Sequence, residues 1–168
     1  GMADRAEHFL HASGKLQTLA YKYETERNLR TPGYAGFQLL GLNDYSGQGS
    51  ALVGVLNVHW REKGYCTAGD WREFCSPTVP LARFPKFIYT EEEMLDIPVE
   101  VYHAGSGPIE HIRCTYTLTG LGEEVKGRLP LRTLPVGKNI GAGRIIQPLA
   151  SITTPAKATL TVLLTDEA

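Results

Sequence analysis

Four side chains in one short stretch have the chemistry to recognise a polyol. They are Asn43, Asp44, Tyr45 and Gln48, within "GFQLLGLNDYSGQGS", residues 36–50. An Asn amide donates to and accepts from a hydroxyl, and an Asp carboxylate can accept from two neighbouring hydroxyls at once. Tyr45 offers a flat ring to the apolar face of a sugar. Gln48, between Gly47 and Gly49, can reach a ligand or simply close the turn. The same residues also suit a purely structural role, because Asn-Asp at the end of an apolar run commonly builds an Asx turn.

Catalytic and metal chemistry is much harder to assemble. Ser46, His59 and Asp44 contain the residue types of a hydrolytic triad, but no strand–nucleophile–helix elbow surrounds the serine. "GLNDYSGQG" has the glycines of a phosphate loop without its Lys-Ser/Thr pair. His8 and His11 stand three apart on a helical stretch with no third ligand nearby. His103 and His111 flank the turn Gly105–Pro108, which reads as one hairpin that sets the two histidines diagonally. Glu91–Glu93 reads as a charged turn before a strand. Cys66, Cys75 and Cys114 fit no Cys-x-x-Cys zinc pattern. Cys66 and Cys75 flank a predicted helix that would hold them about 13 Å apart, too far for a disulfide. All three are expected as thiols. No metal, cofactor or catalytic residue is assigned.

Bulk properties narrow the partners. The chain has 168 residues, 42% hydrophobic and 21% charged, with 17 Lys plus Arg against 18 Asp plus Glu. A formal net charge of -1 gives no footprint for nucleic acid. No apolar run approaches the ~20 residues of a membrane-crossing helix. Gly1-Met2 reads as the remnant of tag removal, with native sequence from Ala3.

Two stretches with different periodicity must position the candidate residues. Residues 3–29 have helical spacing, with Asp4 as a cap, a break at Ser13-Gly14, and apolar Leu16, Leu19, Ala20 and Tyr23. Thr31-Pro32-Gly33 stops the helix. Phe37–Leu42 then reads as a buried strand of parallel type. Residues 51–60 are apolar and ambiguous. Thr67 and Asp70 form a capping-box pattern that opens a short helix carrying Trp71 and Phe74. Trp60 and Trp71 could form a sugar platform, although Trp71 better fits packing between domains. From Val79 onward, short alternating runs separated by turns predict an antiparallel sandwich: 87–90, 94–104, 109–119, 123–134, 143–149 and 158–165. The expected organisation is α+β, with an incomplete helical α/β segment at 3–76 and a β-sandwich at 79–168. A lone parallel-type strand cannot cover its own two faces, so the first segment reads as part of a larger domain. An orphaned strand also seeks an edge partner, and self-association is expected.

"LRTPGYAGFQLLGLNDYSGQG", "WREKGY" and "EFCSPTVPLARFPKF", within residues 29–87, resemble the end of the catalytic domain and the following linker in glycoside hydrolase family 2-like proteins. The resemblance is to the sugar-binding-domain branch, which includes β-galactosidase- and β-glucuronidase-like proteins. It implies that residues 3–76 are the last unit of a (β/α)₈ barrel and that residues 79–168 are an immunoglobulin-like sandwich. It implies a carbohydrate partner, a β-glycoside or polysaccharide, in the parent enzyme. Asn43, Asp44, Tyr45 and Gln48 would then lie at the C-terminal end of the eighth strand, where barrel enzymes bind substrate. A retaining glycosidase needs two carboxyl groups roughly 5–5.5 Å apart. The family carries them after its fourth and seventh strands, and no residue here matches either motif. The chain alone is therefore expected to be inactive, and a secreted, periplasmic or cell-surface setting is implied by the resemblance alone. The alternative is a non-catalytic carbohydrate-binding or structural module, which would need an exposed row of aromatics such as Tyr102 and Tyr116 on the sandwich.

Overall fold

A computed structural model describes residues 1–47 and 52–166. The chain divides into two compact units, Gly1–Ser76 and Pro77–Ala168. One N-terminal helix is followed, after a short second helix, by six antiparallel strands in two sheets.

The first unit is organised by α1, Ala6–Arg30, entered through a 3-10 turn at Ala3–Arg5. Two local expectations need correction. Asp4 lies inside the 3-10 turn and does not cap; the N-cap is Arg5, which makes no side-chain cap bond. Ser13-Gly14 does not break the helix. Gly14 is buried, and a Cβ there would lie 2.3 Å from the Tyr65 ring. Its glycine therefore seats an aromatic side chain, and the helix runs through it. Thr31 ends α1 in an extended conformation, with its hydroxyl donating to the Arg27 carbonyl at 2.7 Å. Gly33 follows at φ +81°, a left-handed position suited to glycine.

The buried face of α1 carries Gly14, Thr25 and Leu29, with Thr18 and Tyr21 beside them. It is covered by the rest of the unit. Trp71 meets Tyr21 edge-on at 5.5 Å between centroids and packs on Phe74 at 5.0 Å. Trp71 thus belongs to an aromatic cluster inside the first unit. It sits on α2, Ala68–Arg72, which opens with the predicted capping box: Thr67 Oγ1 accepts from the Asp70 N–H, and the Asp70 carboxylate accepts from the Thr67 N–H.

Phe37–Leu42 is not a strand, which corrects the sequence expectation. Leu40 is 97% exposed, and the first sheet-like pairing comes only at Asn43, bridged in parallel to Leu56. The physical reason is the one that made this run unusual in sequence. β-structure needs neighbours on its hydrogen-bonding edges, and the described residues of this unit offer only the single bridges Asn43–Leu56 and Leu56–Glu62.

The second unit contains β1 (Thr78–Ala82), β2 (Met94–His103), β3 (Ile112–Thr119), β4 (Val125–Leu129), β5 (Gly137–Pro148) and β6 (Thr159–Asp166). One sheet has the order β1-β2-β5 and the other β4-β3-β6, all pairs antiparallel. The alternation of β2 buries Leu95, Ile97, Val99, Val101 and His103, while β3 contributes Ile112, Cys114 and Leu118 to the same core. This arrangement is consistent with a sandwich.

Three expectations change here. Residues 87–90 form no strand, whereas 78–82 do: Pro80 is tolerated because β1 is an edge strand. β5 begins at Gly137, six residues before the expected start at Gly143. The turn at 105–108 does not close a hairpin, because β2 pairs with β1 and β5 while β3 pairs with β4 and β6. His103 is therefore opposite Thr78 and Gly137, not diagonal to His111. Its ring is buried, with Nδ1 2.7 Å from Thr78 Oγ1 and Nε2 2.9 Å from the Gly107 carbonyl.

Candidate functional site

The loop that carries the candidate residues is tied down by backbone first. The Asp44 N–H donates to the Leu56 carbonyl at 2.9 Å, and the Leu56 N–H donates to the Leu42 carbonyl at 3.0 Å. These two bonds hold residues 42–44 against 54–56. Gly54 makes the close approach possible: a Cβ there would lie 2.2 Å from the Asn43 carbonyl carbon and 2.4 Å from the Asp44 nitrogen.

Asp44 is the centre of the arrangement. Its Oδ1 accepts from the Gly54 N–H at 2.9 Å and from the Lys63 ammonium at 2.8 Å. Lys63 also donates to the Gly54 carbonyl at 2.7 Å. The Asp44 and Lys63 side chains are 9% and 17% exposed, so this pair is largely withdrawn from water. Tyr65 closes the cluster from below. Its hydroxyl lies 3.2 Å from the Gly54 carbonyl and 3.1 Å from Gln17 Oε1 on α1. Burial pushes the Tyr65 hydroxyl above its ordinary pKa, and the negative charge of Asp44 adds to the shift. The neighbouring Cys66 thiol is also pushed up, chiefly by burial.

The four predicted residues thus take different positions. Asp44 points inward and clamps the loop. Asn43 is half-buried, and its Nδ2 donates to the Asp44 carbonyl at 3.0 Å. Tyr45 is 61% exposed, with its ring folded across Gly47, where a Cβ would lie 2.3 Å from the ring. The side chain remains largely open to solvent. Gln48 lies outside the described residues. Sequence reasoning missed Gly54 and Lys63. The only signals for them were a lone glycine in an apolar run and a lysine in "WREKGY".

The chemistry this cluster supports is binding and positioning. Asp44 is committed to two donors on one oxygen, the Gly54 N–H and the Lys63 ammonium. Trp60 sits in the left-handed region at φ 61° on the turn 57–61, where the Asn57 Oδ1 accepts from the His59 and Arg61 N–H groups. It is 64% exposed. No group of three or more His, Cys, Asp or Glu side chains is arranged for a metal among the described residues. Glu93 closes the charged turn by accepting from the Thr90 N–H at 2.8 Å and pairing with Lys86. Those contacts, the Lys86 bond foremost, lower its pKa.

A cleft of about 840 Å³ in the second unit is lined by residues of the 84–91 and 149–160 segments together with Leu95, Leu118 and Leu121. Tyr116 does not belong to an exposed aromatic row. It packs on the core, and its ring covers Gly127, its cross-strand partner on β4.

A family model described as Domain of unknown function (DUF8488) matches residues 93–168, the second unit from the start of β2 onward. No curated protein matches the chain. No helix among the described residues is long and apolar enough to cross a membrane.

Proposed function

We propose that this chain is the C-terminal portion of a family 2-like glycoside hydrolase, supplying the last unit of the catalytic barrel and an immunoglobulin-like accessory domain. In the parent, the reaction is double-displacement hydrolysis of a β-glycoside by two carboxylates carried on earlier strands. This portion contributes barrel closure and a substrate-facing loop. Asp44 holds that loop, while Asn43 and Tyr45 offer hydrogen bonding and stacking to the sugar. The reading rests first on the motifs at residues 29–87.

The structural observation that carries it is the second apolar face of α1. Gly14, Thr18, Thr25 and Leu29 line one side of the helix, and Phe9, Leu16, Leu19 and Tyr23 line the opposite side at helical spacing. The latter four are 53%, 68%, 61% and 45% exposed. Exposed apolar side chains at helical spacing mark a side of the helix that a further element can cover, and the remainder of a larger domain would supply one. The exposed Phe37 and Leu40 fit the same picture, because a barrel would supply the neighbouring strand they lack here.

The test is the reading frame upstream of Ala3. It is expected to encode the preceding barrel strands with a carboxylate after the fourth and another after the seventh. The isolated chain is expected to leave a chromogenic β-glycoside unhydrolysed, and turnover by it would refute the division of labour.

A further inference from the structure

The cleft of the second unit is lined by inner-face side chains of both sheets. Leu95 of β2, Leu118 of β3 and Leu160 of β6 line it, with Leu149 just past β5. Leu95, Leu118 and Leu149 belong to the buried core, and Leu160 packs against it. The registers put these residues at matching strand ends. Leu118 stands opposite Leu160, while Met94, next to Leu95, stands opposite Pro148, next to Leu149. The cleft therefore reaches side chains of the kind that fill a sandwich core. Its volume of about 840 Å³ suits a small molecule. Phe84 and Phe87 also line it, and Phe87 is 78% exposed although its ring stacks on Phe84 at 6.3 Å.

Uncommitted donors accompany this apolar lining. Tyr89 lines the cleft, and its hydroxyl is buried with no hydrogen-bond partner among the described residues. Buried polar groups are nearly always paired, and a bound acceptor would pair this one. Residues 149–160 carry one cation, Lys157, and no acid. Lys157 lines the cleft beside Thr153 and Thr154 and forms no ion pair among the described residues. Glu91 is the one acid in the lining.

We propose that this cleft binds a long-chain carboxylate, its hydrocarbon against the core leucines and its head group taking the donors the fold leaves uncommitted, Lys157 foremost. Hydrocarbon gains from leaving water wherever apolar surface receives it. A carboxylate is accepted only where a counter-charge or donors meet it. An unmodified sugar would set its hydroxyls against leucine, which offers them no partner.

The test is calorimetric titration of the full chain with dodecanoate below its micelle concentration, beside dodecylamine and dodecanol, with methyl NMR to locate the ligand. Dodecanoate is expected to bind one to one and to shift the methyls of Leu95, Leu118 and Leu160. Binding to Lys157→Gln is expected to be about tenfold weaker, and binding to Lys157→Arg close to wild type. Lys157 is exposed, so the fold can accept both changes, and circular dichroism checks that it does. No binding by the wild type overturns the proposal, as does binding unmoved in Lys157→Gln. Dodecylamine or dodecanol binding as tightly as dodecanoate overturns the carboxylate as the ligand class. Methyl shifts confined to Leu16 and Leu19, exposed on α1, would place the ligand on that helix and overturn the cleft as the site.

Discussion

Replacing Lys63 by Met tests whether the Asp44 cluster organises the loop. The substitution keeps a long apolar stem and deletes one charge of a pair in which Asp44 is 9% exposed and Lys63 17%. Removing one partner of a buried pair costs about 3–5 kcal/mol, because the remaining charge stays buried without its counterion. The residual exposure of both groups places the expected loss near the lower end, about 3 kcal/mol. For a cooperative unit of this size, with residues Gly1–Ser76, that corresponds to a fall of roughly 12 °C or more in the unfolding midpoint. Asp44→Asn should cost less, about 1 kcal/mol, because the amide oxygen can still accept from Gly54 and Lys63 can reach water. The double variant Lys63→Met/Asp44→Asn buries no charge and should recover about 2 kcal/mol relative to Lys63→Met alone, a coupling of about 3 kcal/mol, at the upper end for residues in direct contact. Denaturant titrations followed by the far-UV signal of α1 measure all three. A cost below about 0.5 kcal/mol for Lys63→Met would make this an ordinary surface pair and would remove Asp44 from its place as the clamp. A double variant no more stable than Lys63→Met would do the same.

Two further outcomes follow from buried positions. Gly14→Ala would raise stability by about 1 kcal/mol on an open helix face, but here the added methyl meets the Tyr65 ring at 2.3 Å, and a loss of about 1–3 kcal/mol is expected. In a Tyr65→Ala background the same change should become stabilising, as thermal melts can show. Cys114 is fully buried, and burial pushes its thiol up to about 11 from 9.0. A folded pKa raised above the unfolded value favours the protonated thiol in the folded state. Its contribution is therefore complete below pH 9 and is lost as pH rises toward about 11, by at most about 3 kcal/mol. Denaturation of the wild type and Cys114→Val across that window should give curves that converge as pH rises, and parallel curves would contradict the assignment.

The features legible in sequence were those fixed by near neighbours. The α1 periodicity, its stop at Thr31-Pro32-Gly33 and the Thr67–Asp70 capping box depend on residues three to seven apart, and each is present. The alternation of β2, β3 and β6 likewise marked them as strands with one inner face. Pairing was not legible. Gly-Ser-Gly-Pro looks like a hairpin turn but leads from one sheet to the other, because β2 finds its partner in β5, where Ile97 faces Ile145. β1 was hidden by Pro80, whose tolerance depends on an edge position that only the assembled sheet reveals. At the candidate site, the polar loop was visible but the inward turn of Asp44 was not. It is set by Lys63, nineteen residues away, and by the missing side chain at Gly54. Phe37–Leu42 shows the converse: strong β-type composition gave no strand where the described residues offer no sheet edge to pair with.

The most direct test of the functional account is to read the coding sequence upstream of Ala3 in the source genome. The account predicts a continuous reading frame encoding the earlier strands of a (β/α)₈ barrel, with one carboxylate after the fourth and one after the seventh. An initiator codon or an in-frame stop immediately before Ala3 would contradict it.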